Sequence, residues 1–581
     1  MRPLKLFHGE DLIPRTAELG RRGGYSFEMF GKDCIAGIIV GIVALPLSMA
    51  FSIAAGGTPA QGLYTAIIAG FCISAFGGSR FQIGGPTGAF VVIIFNVISV
   101  YGMAGLIAAT VLAGIILVLM GVFGLGRFIK FIPYPVTTGF TTGIGLLIFS
   151  QQIKDFFGLN IEKSSPDFIS KWMEHIQAAG SIDIVTLITG LLTMAIILIV
   201  RRCAPRTPAA ATGVLVVTAL VTLLKYALHN VDAPSEGIPL VLVQQTLEIE
   251  TIATRFGGIP STLPVPDIPA LNFTVFREVF PAALSIALLA AIESLLSAVV
   301  ADGMSGDRHN SNTELIAQGV GNIASAIFGG IPATGAIART ATNIKAGAVS
   351  PVAGIIHAAT LTLFILFLSP AASAIPLSCL SAVLIIVSLD MSNVPRFIRI
   401  IRTAPKSDVS VLITTFLLTV LVDLSYAVVV GVLLAVFLFM RRMVEIADIR
   451  MENDELIAHL AYGDIRERTA QSIQALSSKD TDIFEISGPF FFGVADMLQN
   501  TLRHLSKTPK KIILRMRSVP AIDSTGIAAL ESFLMNCRKQ KIRLILTECG
   551  TQPKAALIKA GFIDILGAEN FIDSLEDAVE V

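Results

Sequence analysis

The sequence predicts a polytopic α-helical membrane protein carrying a small α/β domain at its C-terminal end. Three observations carry that expectation. Only 15% of the 581 residues are charged, against 53% hydrophobic, whereas soluble globular chains average roughly 25% charged. Long apolar stretches recur between Ile35 and Met440, each near the roughly 20 residues that a bilayer-spanning helix needs. After Arg442 the composition turns charged, and strand-like and helix-like runs alternate.

Met1 to Asp33 is polar and of mixed charge, and reads as a segment kept in the cytoplasm, not as a cleaved leader. Ile35–Ala55 follows, 21 residues without a charge, with Pro46 near its middle. Similar stretches lie near 60–77, 86–100, 102–123, 133–152, 181–200, 208–228, 276–301, 311–328, 334–345, 351–369, 376–390, 408–424 and 425–440, fourteen in all. Those near 86–100 and 334–345 are too short and too polar to span alone, and each starts beside Gly, Pro and Thr.

Loop charges orient the chain. Arg127 and Lys130 follow the fourth stretch, Arg201, Arg202 and Arg206 the sixth, Arg396, Arg399, Arg402 and Lys406 the twelfth, and Arg441 and Arg442 the fourteenth. The segment 229–275 follows the seventh and sets Asp232, Glu236, Glu248, Glu250 and Asp267 against Arg255 alone. Even-numbered loops and both termini are therefore expected in the cytoplasm, and 229–275 outside. The expected domains are an N-terminal segment over 1–33, a membrane domain over 34–442 in the inner (plasma) membrane, and a linker with the α/β domain over 443–581. In that last part Thr481–Ile486, Lys511–Met516 and Ile542–Thr547 read as strands, and Val494–Leu505, Thr525–Lys539 and Pro553–Ala560 as helices, giving a partly parallel sheet covered by helices.

The totals also exclude. Lys+Arg and Asp+Glu both number 43, so the basic excess of a nucleic-acid binder is missing. The cysteines at 34, 72, 203, 379, 537 and 549 have neither metal-ligand nor redox spacing, and read as packing residues. With seven His, no nucleophile motif and no phosphate loop, no enzyme, metal or cofactor is expected.

An internal repeat points to function. Ser74-Ala75-Phe76-Gly77-Gly78 precedes Gly84-Gly85-Pro86-Thr87-Gly88-Ala89, and Ser325-Ala326-Ile327-Phe328-Gly329-Gly330 precedes Ile331-Pro332-Ala333-Thr334-Gly335-Ala336. Seven stretches separate the copies, and an odd offset inverts the second. Inverted repeats with short Gly/Pro-interrupted helices at matching positions mark transporter binding sites. Two half-helices would aim their N–H groups and positive dipole ends at the midplane, where an anion is favoured. Taken singly, either cluster also fits an ordinary loop.

Three further positions stand out. Glu293 lies inside an otherwise apolar helix, with Ser297 four residues on and on its face. A carboxyl there costs roughly 2.5–3.5 kcal/mol on insertion scales, so it reads as a proton carrier or as a structural group bonded to a neighbouring helix. Arg339 stands in the first turns of the tenth stretch, either as part of an anion site or paired with Glu293 or a loop acid. Pro46, within Pro46-Leu47-Ser48-Met49-Ala50-Phe51, is expected to break the first helix at mid-depth, lining a cavity or serving packing alone. Asp423 is a lesser candidate, for capping or an interface.

Gly62-Leu63-Tyr64-Thr65, Gly84–Ala89, Ala336-Ile337-Ala338-Arg339-Thr340, and Glu293-Ser294-Leu295-Leu296 followed by Asp302-Gly303-Met304 resemble the SulP (SLC26-type) anion transporters, in matching order over nearly the whole chain. The resemblance looks nearest to the bacterial dicarboxylate-transporting branch. It implies a seven-plus-seven inverted repeat, in which a core domain moves against a gate domain like an elevator, and a homodimer. Substrate would sit between the third and tenth half-helices, facing the first and eighth helices. Thr87, Gly88 and Ala89 would offer the third helix's N-terminus, with Ala338 and Arg339 at the tenth. Leu47 and Phe51 would line the site from the first helix, although Leu47 replaces a polar Gln of many relatives. Glu293, with Ser297, would sit where the family often carries an acidic coupling residue.

Val519-Pro520-Ala521-Ile522-Asp523-Ser524-Thr525-Gly526 resembles the STAS domain shared with anti-sigma-factor antagonists. There a Ser beside the Asp accepts phosphate, so Ser524 reads as a helix cap or as a regulatory phosphosite. A cytoplasmic protein binding this domain is the implied partner. The leading expectation is proton-coupled symport of a small oxyanion or dicarboxylate (fumarate- or succinate-like, sulfate or bicarbonate). The rivals are sodium-coupled bicarbonate symport, an uncoupled anion exchanger or channel, and a membrane-anchored scaffold whose STAS domain is the working part.

Overall fold

Helices dominate the membrane part because its apolar runs leave backbone polar groups no solvent partner, so each must be satisfied within its own segment. The computed structural model describes residues 13–21, 25–127, 133–161, 165, 167–205, 207–229, 245–266, 273–422, 424–446, 448–451, 481–491, 498 and 509–581. Two compact units divide the chain, Met1–Leu433 and Leu434–Val581.

In chain order the first holds α1 (Arg15–Arg21), α2 (Phe27–Ala54), α3 (Pro59–Phe76), β1 (Gly84–Gly85), a 3-10 turn (Gly88–Phe90), α4 (Val91–Val122), α5 (Tyr134–Phe157), α6 (Phe168–Gln177), α7 (Ile184–Cys203), α8 (Ala209–His229) and α9 (Ile252–Phe256). There follow α10 (Phe273–Ser305), α11 (Ser311–Ile327), β2 (Thr334–Gly335), α12 (Ile337–Lys345), α13 (Val352–Ser373), α14 (Leu377–Ser392), α15 (Val394–Thr403), α16 (Lys406–Leu421) and α17 (Leu424–Ile446). Among the described residues, nine helices are long and apolar enough to cross a bilayer. The third and fourth expected stretches run together as α4, with Gly102 at φ 67° marking the kink between them.

Local chemistry sets the ends. Thr58 and Gln61 form a capping box ahead of Pro59 in α3, and Asn310 and Asp183 accept N–H groups at the starts of α11 and α7. Pro46 does not break the first helix as expected. α2 runs unbroken from Phe27 to Ala54 with Pro46 inside it. Proline removes one intrahelical bond, and here the helix is braced along its length by α3 and α13.

Two bundles form. One packs α2, α3, α4, α10, α11, α12 and α13; the other gathers α5, α7, α8, α14 and α16. Small residues let the backbones close in. A Cβ on Gly114 of α4 would stand 2.7 Å from the Gly319 carbonyl of α11, and one on Gly319 2.5 Å from that of Gly114.

The two ends of the helices are tied separately. At one end, Asn310 N–H donates to the Gly78 carbonyl (2.9 Å) and Val349 N–H to the Asp33 carboxylate (2.8 Å). At the other, Ile252 N–H donates to the Ile375 carbonyl (3.0 Å) and Arg255 pairs with Asp155 (2.8 Å).

In the second unit the sheet order is β3 (Asp448–Met451), β4 (Thr481–Ser487), β5 (Lys511–Ser518), β6 (Arg543–Thr547), β7 (Phe571–Ile572). β3 is antiparallel to β4 and the remaining pairs are parallel. The pleat sends alternate residues to opposite faces. Leu514 and Leu546 pack with Leu530 and Phe533 of α18 (Ser524–Lys539) and Leu557 of α19 (Thr551–Lys559), while Ile513 and Ile545 meet Leu575 and Ala578 of α21 (Leu575–Glu580), which follows α20 (Phe562–Leu566). β3 and β7 were not anticipated. Of the expected helix over Val494–Leu505 only Leu498 is described, and Asp423 lies outside the described residues.

Candidate functional site

The two repeat motifs meet head to head. β1 pairs antiparallel with β2, Gly84 opposite Gly335 and Gly85 opposite Thr334. Gly85 has φ 153°, and a Cβ there would collide with Arg339 Nη1. One at Gly335 would collide with Gln82 Nε2. The glycines are what allow two backbones and a guanidinium into one place.

α10 holds both motifs through residues one turn apart. Thr87 Oγ1 donates to Glu293 Oε2 at 2.9 Å. Ser294 Oγ lies 2.6 Å from Thr334 Oγ1 and accepts the Gly335 N–H at 3.0 Å. Ser297 Oγ donates to Thr340 Oγ1 at 3.1 Å, and Thr340 Oγ1 accepts the Ile83 N–H at 3.1 Å. Positions 290, 294 and 297 follow helical spacing, and Thr334 Oγ1 also reaches the Ala290 carbonyl at 3.2 Å.

Arg339, on the first turn of α12, is 2% exposed. Its Nη2 donates to the Pro86 carbonyl, so its charge reaches the start of the opposite half-helix. Its Nη1 is buried and has no hydrogen-bond partner among the described residues. Glu293 is bonded to Thr87 and Arg339 to Pro86, so the first motif is gripped by both.

Gly88 opens the 3-10 turn that leads into α4. A Cβ there would stand 2.8 Å from Ile148 Cδ1, 3.0 Å from Met391 Sδ and 3.2 Å from Phe51 Cε1. These come from α5, α14 and α2, so an apolar wall faces the half-helix end and both bundles contribute to it. The first N–H groups of such an end have no preceding helical carbonyl to bond.

Thr87, Gly88, Glu293, Ser297 and Arg339 thus gather around the paired strands. Leu47 and Ala89 are buried, and Phe51 reaches Gly88. Ala338 is exposed beside the buried Arg339, so the structure does not bury the two neighbours together. Ser294, Thr334, Thr340, Gln82, Ile148 and Met391 were not singled out as site residues. Thr334 stood in the repeat motif, Ser294 beside Glu293 and Thr340 in the motif that carries the family resemblance; Gln82, Ile148 and Met391 carry no sequence signal, because their roles come from contacts across distant segments.

Two site features concern other chemistry. Among the described residues no group of three His, Cys, Asp or Glu could hold a metal ion. In the second unit the cap of α18 is Asp523, whose Oδ1 accepts the Gly526 N–H at 2.8 Å. The cap reading of Ser524 is therefore corrected: a carboxylate one residue earlier already satisfies that N–H, and Ser524 stands exposed at the first helical position. Gln552 holds the preceding loop through the Ile522 N–H (2.9 Å) and carbonyl (3.2 Å).

A model of the sulfate permease family matches residues 30–415, and one of the STAS domain matches residues 472–578. YvdB of Bacillus subtilis, whose name assigns it to sulfate transport, is 42% identical over 556 residues, covering 95% of this chain and 98% of YvdB. The bicarbonate transporter BicA of Picosynechococcus sp. is 27% identical over 570 residues, 95% of each chain. In fold, the chain is similar to the murine Slc26a9 anion transporter in the inward-facing state, with a TM-score of 0.80 at 18% identity over 100% of this chain and 96% of that one. These names are of sulfate and bicarbonate transporters, so the likeness is to the family and not specifically to its dicarboxylate-transporting branch.

Proposed function

The chain belongs to the sulfate permease family, a family of transporters and not of enzymes, and on that premise we propose that it is a secondary active symporter of a small oxyanion, driven by protons through Glu293. The observation that carries this reading is the Thr87–Glu293 hydrogen bond of 2.9 Å. It joins a carboxyl inside the membrane domain to the residue that opens the anion-facing half-helix, so occupancy of one bears directly on the other. Arg339 and the half-helix N-termini supply the positive field. The free Nη1 offers a donor for an oxyanion.

Sulfate and bicarbonate are the foremost substrates, since relatives are named for them; a small dicarboxylate such as fumarate is the third. The chain would cross the plasma membrane fourteen times with both termini inside, with an N-terminal segment over 1–33, a transporter over 34–442 and a linker with the STAS domain over 443–581. The separate ties at the two helix ends support that count, because each joins loops of the same parity. The two bundles would slide past each other as an elevator, within a homodimer, and Ser524 would take a phosphate that tunes a cytoplasmic partner's binding.

The test is uptake into proteoliposomes of labelled sulfate, bicarbonate and fumarate under an imposed inward proton gradient, with and without sodium. Accumulation that follows the proton gradient and is lost in Glu293→Gln supports the reading. Full pH-driven accumulation by Glu293→Gln removes the coupling assignment. A second reading has its own observation: Thr87 sets a hydroxyl against the Glu293 carboxylate, and hard cations take oxygen ligands. Accumulation only with sodium would make this a sodium-coupled bicarbonate symporter.

A further inference from the structure

α6 carries a buried lysine that nothing in the transport site uses. Lys171 is 5% exposed. Two acids lie within one turn of it, and both are engaged elsewhere. Asp167 accepts the Ser170 N–H (3.0 Å) and Oγ (2.9 Å), and Glu174 accepts the Ser165 N–H (3.1 Å) and Oγ. The Lys171 ammonium instead sits 5.0 Å from the centroid of the Phe95 ring, a cation–π attraction to the ring's quadrupole. That is a weak partner for a desolvated cation, since burying a charge without a matched counter-charge is costly. Burial pushes its pKa down to about 8, against the pull of Glu174 and Asp167.

The location gives this cation a meaning. Phe95 lies on α4, seven residues beyond Gly88, or roughly 10 Å along a helix at 1.5 Å per residue. α6 is moored to α5 at a similar level: Trp172 Nε1 donates to Ser150 Oγ at 3.0 Å, and His175 Nε2 lies 3.0 Å from the Ser150 carbonyl. Ser150 is two residues past Ile148, whose Cδ1 covers Gly88. So α6, although too short to span, lies against α5 beside the turn that carries Ile148. It is anchored on one bundle and meets the other through Lys171 and Phe95.

We propose that α6 is the outer cover of the transport site and that Lys171 is a binding residue for the oxyanion entering from outside. This rests on the anion-transport reading and on the orientation that puts segment 158–183 outside. When the bundles slide, the ammonium leaves the Phe95 ring and stands in the passage between solvent and Gly88. An oxyanion then replaces the aromatic face as its partner. Positive charge along a low-dielectric passage raises the local anion concentration.

The test uses the full chain in right-side-out and inside-out vesicles, with labelled sulfate and bicarbonate. In Lys171→Met the external concentration giving half-maximal uptake should rise by about tenfold or more, with the cytoplasmic-side value unchanged and Lys171→Arg close to wild type. The same change from wild type on both sides, or no change on the external side, would overturn the proposal. A second measurement stands apart from transport. An impermeant maleimide should label Lys171→Cys from outside, and saturating sulfate should slow it. If the wild-type chain moves neither anion, the transport reading fails by itself, and absence of labelling from outside would still sink the cover.

Discussion

Glu293 and Thr87 are joined by one hydrogen bond of 2.9 Å across two distant segments, which makes their coupling measurable. If proton and anion communicate through it, Thr87→Val and Glu293→Gln each lower proton-driven uptake, and the double variant loses little more than Glu293→Gln alone. A double-mutant cycle of uptake rates reads this, and strict additivity would place the two residues in independent roles. Gly85 is a sharper case. With φ 153° and Arg339 Nη1 where a Cβ would go, Gly85→Ala must displace the guanidinium or the strand. Overpacking of this kind costs about 1–3 kcal/mol, so a chain that still inserts should show a lower thermal midpoint together with lost uptake. Ser294→Ala removes two bonds that hold β2 and should cost about 1–3 kcal/mol, because Thr334 and the Gly335 N–H stay buried without it. The candidate residues Glu293 and Arg339 were legible because a charge in an apolar run is expensive and therefore conspicuous. Gln82 and Met391 were not, because an amide or a thioether carries no such mark until its neighbours are known.

At the scale of elements, α12 is short because Gly347 at φ 94° follows its end, and that was readable, whereas the 3-10 turn at Gly88 runs on into α4. Pro46 taught the opposite lesson. That proline, inside α2, leaves the helix continuous, since packing by α3 and α13 outweighs one lost backbone bond. In α18 the Asp523 cap predicts that Asp523→Ala destabilises the second unit by about 1 kcal/mol, seen as earlier proteolysis of that unit in the full chain. Ser524→Ala should leave it unchanged. Thiol chemistry checks the direction of α7. Cys203 is exposed at its C-terminal end, after an even-numbered stretch, so an impermeant maleimide should reach it in inside-out vesicles, with the label lost in Cys203→Ser. Burial pushes the Cys537 and Cys549 thiols up to about 12. Both therefore remain thiols at neutral pH and should react only after denaturation.

For the molecule as a whole, the proposed elevator would require that the wall over Gly88 open. That wall is shared: Phe51 belongs to one bundle, Ile148 and Met391 to the other. Relative sliding of the bundles would move the half-helix end away from Ile148 and Met391 while the Thr87–Glu293 and Arg339–Pro86 bonds, which lie within one bundle, persist. Anion binding and coupling would then travel together as a rigid piece. Uptake by the reconstituted chain under opposed proton and sodium gradients should follow the proton gradient if the proposed coupling holds, follow sodium if the second reading does, and follow neither in an uncoupled exchanger or channel.

Read alone, the sequence already implied a helical membrane protein, offered two matching Gly/Pro motifs as inverted copies, and marked Glu293 and Arg339 as candidates for the functional part. Each of these follows from local cost: charge in hydrocarbon, helix breakers inside apolar runs, and parity of crossings. It took the folded chain to show that the motifs pair as β1 and β2, that α10 stitches them through Glu293, Ser294 and Ser297, and that Lys171 of a non-spanning helix lies over Phe95. Those facts depend on which segments become neighbours, and close approach through glycine and small side chains, not local propensity, selects the neighbours.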